Sequence, residues 1–97
     1  MFVWDESKRR KVIQEHRVDF DLIFDIFEDT FAIDFEDHEH STETAIRYGT
    51  IGQTAQYGLL VLIYTIIDNN DVRFISARRA EKWMVSKYEE NRKKNWF

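Results

Sequence analysis

The longest apolar stretch of this chain runs from Leu59 to Ile67 and is interrupted only by Tyr64 and Thr65. It is far shorter than the roughly 18 apolar residues that a membrane span requires. A near-continuous run of Leu, Val and Ile is typical of a central strand, whose two faces are both buried. The stretch therefore predicts the central strand of a sheet, and the rest of the chain has to supply its neighbours.

A chain of 97 residues has room for one core, so we expect a single domain over residues 1–97. The 15% of aromatic residues can make that core dense. The absence of cysteine excludes disulfides and thiolate metal sites, and it fits a reducing cytoplasm. Trp4, Asp5 and Glu6 stand where a secretion signal would carry an apolar run, so the expected location is cytoplasmic, with no membrane association.

The charges are distributed unevenly along the chain, although the net charge is only −4. Residues 21–43 carry nine acidic and no basic side chains, whereas residues 73–97 carry eight basic and three acidic ones. Folding could collect a basic face from the two ends of the chain, which would suit a nucleic-acid ligand. The alternative is that these charges only solvate the helices.

Helices are predicted at three places. Asp5 is a plausible N-cap for a basic helix that ends near His16, and Asp19 is a plausible N-cap for a second helix that ends near Asp29. The second helix would bury an apolar face at i, i+3, i+4 and i+7. Its residues are Phe20, Ile23, Phe24 and Phe27. A third, basic helix is expected from about Arg78 to Lys94.

Strands are predicted before, between and after these helices. Phe2 to Trp4 can form a short strand, and residues 31–35, 44–51, 59–67 and 72–77 have apolar or alternating patterns. Short turns between the last four strands imply an antiparallel meander. The order is strand, two helices, four-stranded meander and C-terminal helix, which is an α+β fold.

Several short motifs occur in a fixed order from the first strand to the last helix. A Trp-Asp pair and a lysine precede a His-x-Val-x-Phe segment. An arginine then precedes an Ile-Gly pair, and an Arg-x-Ile-Ser-Ala-Arg-x-Ala segment precedes a late tyrosine. The residues are Trp4, Asp5, Lys8, His16, Val18, Phe20, Ile26, Phe27, Asp29, Glu43, Arg47, Ile51, Gly52, Tyr64, Thr65, Arg73, Ile75, Ser76, Ala77, Arg78, Ala80 and Tyr88. In these motifs the chain resembles the BrnT family of toxins, most specifically at residues 75–80.

This resemblance implies a fold similar to RelE-type ribonucleases and an endoribonuclease that cleaves RNA, arrests translation and growth, and uses no metal or other cofactor. It also implies a partner, a BrnA-like antitoxin with a ribbon-helix-helix element. The expected complex is a 2:2 heterotetramer that reaches operator DNA only through the antitoxin.

The resemblance and the residue chemistry together nominate the site residues. Arg78, expected at the start of the last helix, is the first candidate for binding phosphate, and Arg73 and Lys8 are further candidates for binding RNA. Arg47 could reach the same face or pair with Glu43, and Arg78 could instead pair with a helix carboxylate. His16 belongs to a residue type that exchanges a proton near neutral pH, or it could simply fix the end of its helix.

Other residues are open to more than one interpretation. Tyr88 could donate a proton or belong to the core, and Trp4 and Trp83 are interpreted as core residues. His38 and His40 lie in an acidic segment whose spacing matches no metal site, so we expect a solvated loop.

The chain also departs from the family pattern, with residues that differ from those usual in BrnT toxins. These are Val12, Glu15, Arg17 and Met84. The departures keep open a second function, in which a catalytically weak module represses transcription together with its antitoxin.

Overall fold

A computed structural model describes residues 1–95, apart from the side chain of Asn69. Two α-helices and five strands follow one another, with short 3-10 segments in the connections. The strands are β1 (Phe2–Val3), β2 (Ile33–Glu36), β3 (Arg47–Thr54), β4 (Gly58–Ile67) and β5 (Asp71–Arg79). The helices are α1 (Glu6–His16) and α2 (Lys82–Lys94). The α+β class predicted from the sequence is confirmed.

The five strands form one sheet in the order β1-β5-β4-β3-β2. The apolar stretch at residues 59–67 is the central strand, as predicted, and β2 to β5 form the predicted antiparallel meander. β1 pairs with β5 in parallel. β3 begins and ends about three residues later than expected, and β5 extends two residues further, to Arg79. Within residues 1–95, neither helix has the length and apolar character needed to span a bilayer.

Each face of the sheet has its own core. On one face, α1 and the segment that follows it pack against Leu60, Leu62 and Phe74. On the other face, Met84 and Tyr88 of α2 pack against the strands. Two of the family departures are buried in these cores, Val12 in the first and Met84 in the second. These two departures therefore change core packing.

The predicted second helix is wrong, because residues 20–28 form two 3-10 segments, Phe20–Leu22 and Phe24–Glu28. The fully buried residues are Phe20, Ile23 and Ile26, a spacing of three that matches the three residues per turn of a 3-10 helix. Phe24 and Phe27 lie at the rim, more than a third exposed.

Long-range hydrogen bonds help to hold this segment against the sheet. Asp25 accepts from the backbone N–H of Ala55 and Asp29 from that of Gln53, each at 2.8 Å. These contacts join the 3-10 segments to the β3–β4 hairpin. They replace part of the hydrogen bonding that an α-helix would make along its own backbone.

The end of α1 stores backbone strain. Its N-terminus is capped as predicted, by the Asp5 carboxylate accepting from the N–H of Ser7 at 2.9 Å. At its C-terminus, Arg17 adopts a left-handed conformation with φ of 59°. Non-glycine residues pay roughly 1–2 kcal/mol for this conformation. Arg17 is one of the residues that differ from those usual in the family, so this departure places backbone strain at the end of α1.

Replacing Arg17 with glycine should therefore stabilise the fold. Relief of the left-handed strain should outweigh the greater freedom of glycine in the unfolded chain, and we expect a gain of about 0.5–1 kcal/mol in the free energy of unfolding. Urea denaturation followed by circular dichroism measures it. Arg10→Gly within α1 is a matched control and should be destabilising by about 1 kcal/mol. A loss of stability for Arg17→Gly would show that the Arg17 side chain stabilises the fold by more than the left-handed backbone strain destabilises it.

Candidate functional site

Arg47, Thr65 and Arg73 form a row across three adjacent strands. Arg47 of β3 is paired in register with Thr65 of β4, and Thr65 is paired with Arg73 of β5. Residues paired in this way project from the same face of a sheet, and neighbouring strands lie about 4.8 Å apart. The two arginines are therefore about 10 Å apart at their Cα atoms, on either side of a threonine.

Lys8 of α1 joins the two arginines in one cleft of about 550 Å³. The other residues that line it come from the start of the chain and from the strand ends. They are Val3, Trp4, Asp5, Ala45, Thr65 and Ile75. The structure thus brings together three of the residues nominated from the sequence. This cleft, lined by Lys8, Arg47 and Arg73, is called the basic cleft below.

The cations of the basic cleft lack the side-chain partners that hold several other arginines of the fold. Arg9 binds Asp19 and Glu6, and Arg79 donates to the carbonyl of His16. By contrast, the side chains of Lys8, Arg47 and Arg73 make no hydrogen bond or salt bridge to any described residue. The Glu43–Arg47 ion pair considered from the sequence does not form. Unpaired cations around one cleft focus a positive potential there, which favours an anionic ligand.

The basic cleft continues in two directions. A hollow of about 600 Å³ at the end of β4 shares Ala45, Thr65 and Arg73 with it. A smaller hollow of about 190 Å³ runs between α1 and β5, shares Lys8 and Ile75, and reaches Lys11. The three spaces share lining residues and together form a groove with room for more than a single phosphate.

Asp5 and Glu15 place carboxylates at this groove. Hydrogen bonds from Ser7 lower the pKa of Asp5, and Lys8 and Arg73 lower it further. The Asp5 carboxylate is consequently ionised at neutral pH and is a weak base. Glu15 lies 4.0 Å from Lys11 and 3.9 Å from the His16 ring, at the far end of the groove. The family departure at Glu15 therefore weakens the positive potential at that end.

The family of the chain follows from a family model that matches residues 4–83, described as "Ribonuclease toxin, BrnT, of type II toxin-antitoxin system". The chain belongs to the BrnT family. The basic cleft is therefore part of a ribonuclease toxin of a type II toxin-antitoxin system.

A solved structure agrees with this membership. The chain is similar to the ribonuclease toxin BrnT of Brucella abortus, solved at 1.1 Å, with 30% sequence identity and a TM-score of 0.64. The match covers 84% of this chain and 99% of the Brucella chain. No curated protein matches the sequence significantly.

Within this BrnT fold, Arg78 is placed differently from the prediction. It lies inside β5 rather than at the start of the last helix, and it is paired with Val61 of β4. Its guanidinium is 3.1 Å from Glu81, which precedes α2 and is its N-cap residue. Arg78 projects from the same sheet face as the basic cleft, since Val61 and Thr65 are four residues apart in β4. That separation is roughly 13 Å along the strand.

His16 and Tyr88 are not brought into the basic cleft. His16 ends α1, and its carbonyl oxygen accepts from Arg79 at 3.1 Å. Tyr88 is 5% exposed, and its hydroxyl donates to Asp29 at 2.7 Å. Burial and the bond to Asp29 raise the pKa of Tyr88 to about 12. The core interpretation of Tyr88 therefore has direct structural support.

Replacing Tyr88 with phenylalanine should separate a core role from a catalytic one. The change removes the donor to a carboxylate and should cost about 1.5–3 kcal/mol of stability, measured by urea denaturation. RNA cleavage by the folded variant should be unchanged. Loss of cleavage without loss of stability would instead identify the hydroxyl as a participant in the reaction.

Two features of this face differ from what the sequence predicts. Trp83, interpreted as a core residue, is 57% exposed. The alternative in which Arg78 pairs with a carboxylate of the last helix is the arrangement found, and its partner Glu81 also accepts from Trp83, a contact that was not predicted.

Proposed function

We propose that this BrnT family member is an endoribonuclease that binds backbone phosphates of RNA in the basic cleft. One observation supports this most strongly: Lys8, Arg47 and Arg73 line one cleft and lack side-chain partners among the described residues. Unpaired clustered cations repel one another in the free protein, and a phosphate relieves that repulsion. The family assignment makes RNA the expected source of the phosphate.

The proposed reaction is attack of a ribose 2′-oxygen on the adjacent phosphorus. The 2′-hydroxyl loses its proton, the bond from phosphorus to the 5′-oxygen breaks, and the departing 5′-oxygen gains a proton. The products are a 2′,3′-cyclic phosphate and a 5′-hydroxyl. Arg47 and Arg73 can each donate two hydrogen bonds to the phosphoryl oxygens, whose charge grows in the transition state. Lys8 adds a third positive charge.

Electrostatic stabilisation is the main contribution that this cleft can make. Preorganised donors aimed at developing charge are commonly worth 10²–10³-fold in rate each. Asp5 is a weak base in the cleft, and Tyr88 retains its proton in the core. We keep His16 as a proposal for proton transfer only at the far end of the groove, outside the basic cleft, and the activity–pH profile of His16→Ala tests it.

The proposed partner is a BrnA-like antitoxin with a ribbon-helix-helix element, because a type II toxin is neutralised by a protein. An acidic segment of that antitoxin would complement the basic cleft and exclude RNA. We propose a 2:2 complex that contacts operator DNA only through the antitoxin. Light scattering of the co-expressed pair measures the stoichiometry. A toxin that does not bind the protein encoded by the neighbouring gene would contradict this pairing.

Brief induction of the chain alone tests the activity. Growth arrest, with new 5′ ends in cellular RNA mapped by primer extension, is the expected result. Cleavage by purified protein should persist in excess EDTA if no metal takes part. A folded, monodisperse protein that neither cleaves RNA nor slows growth would favour the alternative function, transcriptional co-repression with the antitoxin.

A further inference from the structure

A single carboxylate fixes an exposed tryptophan beside an arginine on the face of the basic cleft. The Glu81 Oε2 atom accepts from the indole Nε1–H of Trp83 at 2.6 Å. The Glu81 Oε1 atom accepts from the Arg78 guanidinium at 3.1 Å. These three residues are called the Trp83 cluster below. Its indole and guanidinium are held as neighbours by the two oxygens of one side chain.

Core packing does not account for the position of Trp83. Helix α2 buries Met84 and Tyr88, whereas Trp83 remains 57% exposed. The indole N–H already has its partner in Glu81, so the ring needs no further hydrogen bond. An exposed ring held in one orientation loses little conformational freedom when a ligand stacks on it.

Arg78 of the Trp83 cluster projects from the same sheet face as Arg47 and Arg73. Arg78 and Arg73 both belong to β5, and their partners in β4 are separated by roughly 13 Å. Ile75 and Ser76 lie between them and line the small hollow that joins the basic cleft. A single RNA strand that places one phosphate in the basic cleft can therefore reach the cluster with a following nucleotide.

We propose that Trp83 stacks on an unpaired base of the bound RNA, while Arg78 contacts the adjoining phosphate. This inference rests on the proposed function, since it assigns a second contact to the same RNA. Exposed aromatic rings next to cations are the usual elements of single-strand recognition, because every base has a face that stacks. Larger purine rings stack better, so the cluster favours a purine at this position. Glu81 acts as a positioning residue.

The test uses 2′-O-methyl hexaadenylate and hexauridylate, which lack the attacking 2′-hydroxyl and cannot be cleaved by this reaction. Fluorescence anisotropy of labelled oligomers gives the dissociation constants. Trp83→Ala should weaken binding of the adenylate about tenfold, and Trp83→Phe by less than about threefold. Val85→Ala, at an exposed residue of the same helix, is the matched control and should bind as the parent protein does.

A spectroscopic measurement separates stacking from a structural effect. With 5-fluorotryptophan incorporated, the ¹⁹F signal of Trp83, assigned through Trp83→Phe, should shift when the adenylate binds, in the parent protein and in Val85→Ala alike. Unchanged binding by Trp83→Ala with an unmoved Trp83 signal would overturn the inference. Cleavage by the parent protein would then leave the proposed function intact.

Two further results would also overturn the inference. If Trp83→Ala leaves RNA binding unchanged and weakens only the complex with the antitoxin, Trp83 is a protein contact. If the parent protein neither binds the oligomers nor cleaves RNA, both the proposed function and the stacking site are wrong.

Discussion

Replacing Arg73 with alanine should reduce the rate of RNA cleavage by about 100-fold or more, with the fold intact. Arg73 lines both the basic cleft and the hollow at the end of β4, so it occupies the middle of the groove. Loss of a single preorganised donor to a developing oxyanion commonly costs 10²–10³-fold. Because Arg73 is exposed, its removal should change the free energy of unfolding by less than about 0.5 kcal/mol.

Three matched variants make this result specific. Arg73→Lys keeps the charge but cannot grip two phosphate oxygens in one plane, so it should retain partial activity. Arg10→Ala removes the same charge from an exposed position of α1 that does not line the basic cleft, and it should cleave normally. Arg78→Ala should also cleave RNA more slowly, because it removes the contact proposed for the adjoining phosphate. Full activity of folded Arg73→Ala, together with an inactive Arg78→Ala, would move the phosphate site to Arg78.

The sheet could be predicted from the sequence because its signals are local. The apolar stretch at residues 59–67 specifies a buried central strand, and the shorter strands alternate on either side of it. The failure at residues 20–28 has an equally physical origin. Phe20 and Ile23 are three residues apart, a spacing that suits an α-helix and a 3-10 helix equally well. The bonds from Asp25 and Asp29 to the β3–β4 hairpin join residues distant in sequence, and no local pattern reveals them.

The sequence identified the residues of the basic cleft as candidates, but it could not show that they lie close together in space. Lys8, Arg47 and Arg73 come from a helix and two strands, and they meet because Thr65 lies between the two arginines in register. An irregularity between Ile63 and Tyr64 shifts that register along β5. Arg78 was misplaced for a related reason, because the strand continues past the predicted end and delays the helix.

The aromatic cluster around Phe74 should be the most sensitive part of the core. Phe74 is fully buried, and its ring lies within 5.4–6.2 Å, between centroids, of five other rings. These belong to Phe2, Trp4, Phe20, Phe24 and Phe27. Phe74→Ala should cost about 3–5 kcal/mol, the usual loss for a buried phenylalanine. Small domains have only about 5–15 kcal/mol of stability in total, so the variant should be partly unfolded in warm conditions.

Phe24→Ala is the matched control, because Phe24 belongs to the same cluster but is 37% exposed. It leaves no closed cavity and should lose clearly less stability than Phe74→Ala in urea denaturation. Equal losses would show that the rim residue is as well packed as the central one.

The aromatic cluster also supports the basic cleft, because Phe74 contacts Phe2 and Trp4, the residues that hold the start of the chain against β5. Since Lys8 follows directly in α1 and Arg73 is the neighbour of Phe74, loosening this cluster should separate the two cations. Phe74→Ala should therefore lose RNA cleavage at urea concentrations lower than those that unfold the sheet, whereas in the parent protein the two transitions should coincide.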